Sequence, residues 1–207
     1  MNRGGGIFFL LLPFLWVGFG MGIARSGWTA MLGYHISMAV CLWWDDPVSH
    51  SRSAFSASWA PPNSWFWRLI PWSALLTLPF LLVCWPWVGL NTIDSLLRYQ
   101  GVWPFWPFAV YYPLVNPLLE EFFWRRFVNE RLSHKWLGDA FFGAYHALVL
   151  VHFVTVWFAV LCAAAFIGVA WGWRAISRKT GSLYVALVSH FAANVGIVGC
   201  VGLLEMM

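Results

Sequence analysis

Charge is what this sequence has least of. Only 10% of its 207 residues are Asp, Glu, Lys or Arg, where a soluble domain carries about 25%. That deficit excludes an ordinary water-soluble globule. Cysteine is scarce and unpatterned: Cys41, Cys84, Cys162 and Cys200 fall singly in apolar runs, with no C-x-x-C. This excludes a disulfide framework or a zinc knuckle and leaves four small buried apolar groups. There is no N-x-S/T sequon, no H-E-x-x-H, no low-complexity tail and no tandem repeat. The net charge of +4 is scattered over loops rather than gathered into a patch, so nucleic acid is not an expected partner.

What the chain does have is apolar residues, 61% of the total. They are gathered into runs of about 17–25 residues, long enough to cross a bilayer. Seventeen tryptophans, among them Trp43, Trp44, Trp65, Trp67, Trp72, Trp136, Trp171 and Trp173, cluster near run ends as aromatic belts do. The expectation is an all-α, polytopic membrane bundle of about seven transmembrane helices in contact with the lipid bilayer.

Residues 7–24 form the first expected span. Gly22-Ile-Ala24 resembles a signal-peptide cleavage site, but the apolar run exceeds the usual h-region of about 7–15 residues, which favours an uncleaved helix. Residues 28–44 form the second span and hold a lone histidine, His35. A Ser- and Pro-rich loop covers 45–68, a third span 70–89 contains Pro79 and Pro86, and 91–101 make a short connection. The fourth span, 102–128, has Pro113 and Pro117 near its end, which predicts a kink just before Glu120. After a polar hairpin, the apolar stretch 136–173 holds two spans with a turn near 156–158, and the last span runs over 183–203. Residues 1–101 and 102–207 divide the single membrane domain into N-terminal helices and a motif-bearing core.

With a cytoplasmic N-terminus and seven spans, ten cationic residues lie inside (Arg3, Arg52, Arg68, Arg125, Arg126, Arg131, Lys135, Arg174, Arg178 and Lys179). Only Arg25 and Arg98 lie outside. That bias supports both the count and the orientation, and the small, tryptophan-rich chain reads as a bacterial inner-membrane protein.

Pro117-Leu-Leu-Glu-Glu-Phe-Phe-Trp-Arg-Arg126 breaks the apolar rule. Intramembrane charge is costly and usually tied to function. Four residues separate Glu121 from Arg125, so they share a helix face and can pair. Glu120 is rotated about 100° away and is left for chemistry. One neutralised and one available carboxylate suit acid–base catalysis. In the expected topology Glu120, His146 and His190 all lie about 10–12 Å below the cytoplasmic surface, on three helices. Asn194 shares the face of His190, and Asn116 that of Glu120. His35 and His152 read as histidines bonded to a neighbouring helix. Asp139 and Glu130, near helix ends, read as solvated, and Phe122, Phe123 and Trp124 as packing or lipid contacts.

Glu120-Glu121-x-x-x-Arg125, Phe142-x-x-x-His146 and His190-x-x-x-Asn194 together resemble the three-part signature of the CPBP family of CAAX prenyl endopeptidases and bacteriocin-processing proteins, also called the Abi family. Gly168-Val-Ala-Trp-Gly-Trp-Arg174 through Thr180-Gly181-Ser182-Leu183 resembles the run into its last motif. The resemblance covers about residues 105–200 and implies a glutamate-dependent intramembrane endopeptidase. It implies that Glu120 activates water, that His146 holds and polarises it, and that His190 and Asn194 donate to the oxyanion. Glu121 and Arg125 would support the helix and the charge balance. No cofactor is implied by that mechanism. The rival is a zinc metalloprotease with Glu120, His146 and His190 as ligands. The implied substrate is a membrane-associated protein or peptide: a prenylated tail, a leader or a C-terminal sorting signal. Two further classes are a non-catalytic immunity or scaffold protein and a proton-coupled transporter, the latter disfavoured because no inverted repeat is visible.

Overall fold

The computed structural model describes residues 5–44 and 105–205. Helix α1 (Gly5–Val17) runs into a π-helical segment, Gly18–Ile23, and α2 (Gly27–Trp44) returns beside it. Helix α3 (Phe105–Glu120) passes directly into a second π-helical segment, Glu121–Val128, and a last turn, Asn129–Arg131. Helices α4 (Trp136–Leu150), α5 (Val156–Thr180) and α6 (Tyr184–Glu205) follow. Every element among the described residues is helical, as the sequence predicts. The expected loop 45–68, the span 70–89 and the connection 91–101 lie outside the described residues. Of the described helices, Val156–Thr180 is long and apolar enough to cross a membrane alone; Phe8–Ile23 and Tyr184–Gly199 are apolar but shorter.

The prolines of α3 do not end it. Both Pro113 and Pro117 sit within a continuous α-helix that reaches Glu120. The change comes one residue later, where the π segment begins. Pro117 offers no N–H to the preceding turn, and the residues after it bond five rather than four positions back. The wider winding reorients the motif without breaking the helix.

The turn between α4 and α5 also comes earlier than 156–158. Helix α4 ends at Leu150, the Val154 N–H closes on the Leu150 carbonyl at 2.9 Å, and Thr155 is extended before α5 starts at Val156. The two helices then cross closely at Gly143. A Cβ there would stand 2.6 Å from the Ala163 carbonyl oxygen and 2.4 Å from Ile167, so only glycine permits this approach. Gly181, at φ +68°, ends α5 in the left-handed conformation that suits glycine.

The core forms around the π segment. Phe123 and Trp124 are fully buried, Phe9 of α1 meets Phe127 at 5.0 Å between ring centroids, and Phe14 meets Phe141 at 5.6 Å. Cys41 and Cys162 are buried and form no disulfide. Asp139 corrects the expectation of a solvated carboxylate. It is buried and takes three bonds from Arg174, Nε to Oδ1 at 3.2 Å and to Oδ2 at 2.9 Å, and Nη2 to Oδ2 at 2.6 Å. Outside, the bundle is apolar: Trp157, Ile23, Trp44 and Trp43 are largely exposed. Large hydrophobics on the outside and charge inside invert the arrangement of a soluble domain.

Candidate active site

The buried carboxylates sit at the junction of α3 and its π segment. Glu120 and Glu121 are wholly inaccessible, and α6 supplies a histidine that meets both. His190 Nδ1 lies 2.9 Å from Glu121 Oε1, and its Nε2 lies 3.6 Å from Glu120 Oε2. One imidazole reaches two consecutive carboxylates because the wider π winding turns them toward the same neighbour. Arg125 pairs with Glu121 through Nε at 3.3 Å, as the four-residue spacing predicts. Its guanidinium also lies over Phe142, 4.6 Å from the centroid, while the His190 ring stacks on Trp173 at 4.9 Å.

Glu120 is not left free. The Tyr145 hydroxyl donates to Glu120 Oε1 and lies 3.2 Å from His146 Nε2. His146 Nδ1 is 2.8 Å from the Phe142 carbonyl oxygen. A carbonyl can only accept, so Nδ1 carries the proton of the neutral imidazole and Nε2 presents a lone pair. The single Tyr145 proton is committed to Glu120, so that lone pair remains available to a water. Two carboxylates face one guanidinium here, with the His190 imidazole set between them.

Two amide donors have no acceptor among the described residues. Asn116 Oδ1 accepts from His35 Nε2 at 2.9 Å, but its buried Nδ2 donates to nothing. The buried Nδ2 of Asn194, one turn beyond His190, is likewise unmatched. His35 behaves as expected of a histidine bonded to a neighbouring helix, with Tyr111 Oη at 3.1 Å as its other partner. His152 lies away from the site, in the turn after α4.

An apolar cavity of about 310 Å³ opens beside Glu120. Asn116, Glu120, Tyr145 and His146 supply its polar wall, and Trp28 and Phe108 part of its apolar one. The structure therefore brings Glu120, Glu121, Arg125, His146 and His190 into one cluster. Sequence reasoning missed Tyr145, Tyr34 and the polar role of Trp124, whose indole N–H donates to Tyr34 Oη at 2.8 Å. Tyr145 carried a usable signal, since it precedes His146 on a helix that already bears the motif.

The zinc expectation finds little support in this arrangement. The Tyr145 hydroxyl stands between Glu120 and His146, and among the described residues no three His, Cys, Asp or Glu side chains gather closely enough to hold a metal ion. Glu120, His146 and His190 do not fit zinc as placed.

Residues 102–196 match the family model described as type II CAAX prenyl endopeptidase Rce1-like. The matched stretch contains all seven motif residues, Glu120, Glu121, Arg125, Phe142, His146, His190 and Asn194. No curated protein and no solved structure matches the chain.

Proposed function

From a chain whose residues 102–196 form an Rce1-like domain, we propose an intramembrane endopeptidase in which Glu120 activates the attacking water. The observation that carries this reading is the pairing of a buried carboxylate with the bare Nε2 of His146 at the wall of one cavity. A water in that cavity donates one proton toward Glu120 and the other toward His146 Nε2, leaving its oxygen to attack the scissile carbonyl carbon. As the tetrahedral oxyanion forms, the unmatched Nδ2 of Asn194 and the Nε2 of His190 are the donors that meet it. Fixed donors in a water-poor cavity stabilise such charge by several kcal/mol. Glu120 then returns its proton to the leaving amine as the C–N bond breaks. Tyr145 orients the carboxylate, while Glu121 and Arg125 hold His190.

The cavity is at the small end of ligand sites, which run from about 300 to 1,000 Å³. That suits the apolar side chains flanking one peptide bond in an extended, membrane-anchored tail, and excludes a folded substrate. A prenylated tail, a leader and a C-terminal sorting signal all meet this description, in a bacterial inner membrane with the site near the cytoplasmic face. The outward-facing tryptophans and the long apolar α5 support the membrane setting.

A zinc enzyme is the second reading, favoured by one feature: both histidines engage Nδ1, at the Phe142 carbonyl and at Glu121, and keep Nε2 for a further partner, as zinc-bound histidines do. Measuring zinc by mass spectrometry and assaying cleavage of a co-expressed membrane-anchored peptide before and after chelation separates the two. Activity that survives chelation and disappears in Glu120→Gln establishes the glutamate mechanism. Stoichiometric zinc with activity lost on chelation replaces it. An uncleaved substrate panel with intact membrane insertion points to a scaffold protein.

A further inference from the structure

At the end of the bundle where α4 and α6 begin, a second cavity of about 630 Å³ opens beyond Arg125. Its chemistry is opposite to that of the first. Arg125, Arg126, Lys135, Arg174 and Arg178 line it, against one lining carboxylate, Glu130. Counting Glu121 and Asp139 behind the wall still leaves two positive charges unbalanced. Repulsion among five cations around one hollow is unfavourable unless an anion offsets it.

Arg125 is the second, independent sign of a ligand. Its side chain is 1% exposed, yet Nη1 and Nη2 have no hydrogen-bond acceptor among the described residues. Only Nε is spent on Glu121, so the paired donors of the guanidinium remain for something in the cavity it lines. A planar pair of N–H donors matches a tetrahedral oxyanion. The buried Ser177 hydroxyl, also on the wall, lacks a partner too. Arg178 is exposed and bonds to nothing among the described residues. Trp136, beside Lys135, and Trp171, one turn before Arg174, are 60% and 61% exposed. Their placement sets the mouth at the depth where indoles meet headgroups.

We infer that this basic cavity binds a phosphate oxyanion, Arg125 and Arg178 being its principal donors. The volume exceeds what one inorganic phosphate fills, so the headgroup of an anionic phospholipid is the expected source. Because Arg125 holds Glu121 with one nitrogen and the anion with the others, occupancy reaches the catalytic carboxylates through a single side chain. The inference does not depend on peptide hydrolysis, since binding is read without turnover.

The full chain in neutral detergent is titrated with short-chain phosphatidylglycerol, short-chain phosphatidylcholine and inorganic phosphate in parallel. Thermal unfolding and native mass spectra are recorded for each. Phosphatidylglycerol should raise Tm and persist as a bound adduct, and phosphatidylcholine should do neither. Arg178→Gln should weaken binding about tenfold, as loss of a charge-assisted bond does, and Lys179→Gln, one residue along and off the cavity wall, should leave it unchanged. A shift from inorganic phosphate equal to that from phosphatidylglycerol, and lost in Arg178→Gln, keeps the site and names free phosphate as its ligand. Equal effects of the two lipids, equal effects of Arg178→Gln and Lys179→Gln, or no binding of any of the three overturns the proposal.

Discussion

Among the described residues, two inward-facing carboxylate–guanidinium pairs are built to different standards. Asp139 and Arg174 close on each other, with bonds of 2.6 and 2.9 Å between α4 and α5. Glu121 and Arg125 approach through Nε at 3.3 Å, Glu121 turns its other oxygen to His190, and Nη1 and Nη2 have no acceptor among the described residues. The first pair joins two helices and has done its task when the bonds are made. The second keeps bonding capacity in reserve on both sides, toward the histidine and toward the basic cavity. Incomplete satisfaction inside a packed interior costs stability, and it marks where chemistry or a ligand is expected.

The strongest way to break the comparison acts on the incomplete side. Glu120→Gln keeps the volume and removes the proposed base, so cleavage of a membrane-anchored reporter should fall about a thousandfold, with Tm within a degree or two of the parent. Retained turnover would move the base elsewhere.

Next in size is the closed pair. Asp139→Asn leaves the Arg174 charge buried without its carboxylate and should lower stability by about 3 kcal/mol, read from denaturant unfolding in detergent micelles. The double variant Asp139→Leu/Arg174→Met should recover most of that loss and keep kcat. By contrast, Glu121→Leu/Arg125→Met should recover stability without recovering activity. Equal rescue of activity in both doubles would erase the distinction.

The helix crossing comes third. Gly143→Val places two methyl groups where the Ala163 carbonyl and Ile167 already stand, and overpacking of this kind costs about 1–3 kcal/mol. The loss should appear in Tm while the Km of the surviving fraction holds.

Tyr145→Phe is the smallest. It removes one donor to Glu120 and should lower kcat about tenfold with Km unchanged. A change in Km alone would assign Tyr145 to substrate binding instead of carboxylate orientation.

Much of the site was legible before any coordinates, because helical spacing is local. Glu121 with Arg125 and His190 with Asn194 sit four apart, and α-helical or wider winding keeps each pair together. Matched depth brought Glu120, His146 and His190 together on paper, and His190 does meet Glu120. Other readings failed where a partner lies far along the chain. Asp139 looked solvated because the residue that buries it, Arg174, is 35 positions away. Tyr145 drew no reading at all, because its hydroxyl finds Glu120 only across the α3–α4 packing.

By itself, the sequence determined the helical class, the scarcity of charge, and which few polar side chains stand out as candidates for function. Periodicity and the cost of intramembrane charge are properties of a single segment, so they can be read from one. The tertiary structure alone decided that one histidine meets two carboxylates, that the Tyr145 hydroxyl bridges Glu120 and His146, and that five cations surround a second cavity. Those outcomes depend on the rotation and depth of each helix against its neighbours, including the π winding after Pro117. Such angles are set by the packing of all the helices at once.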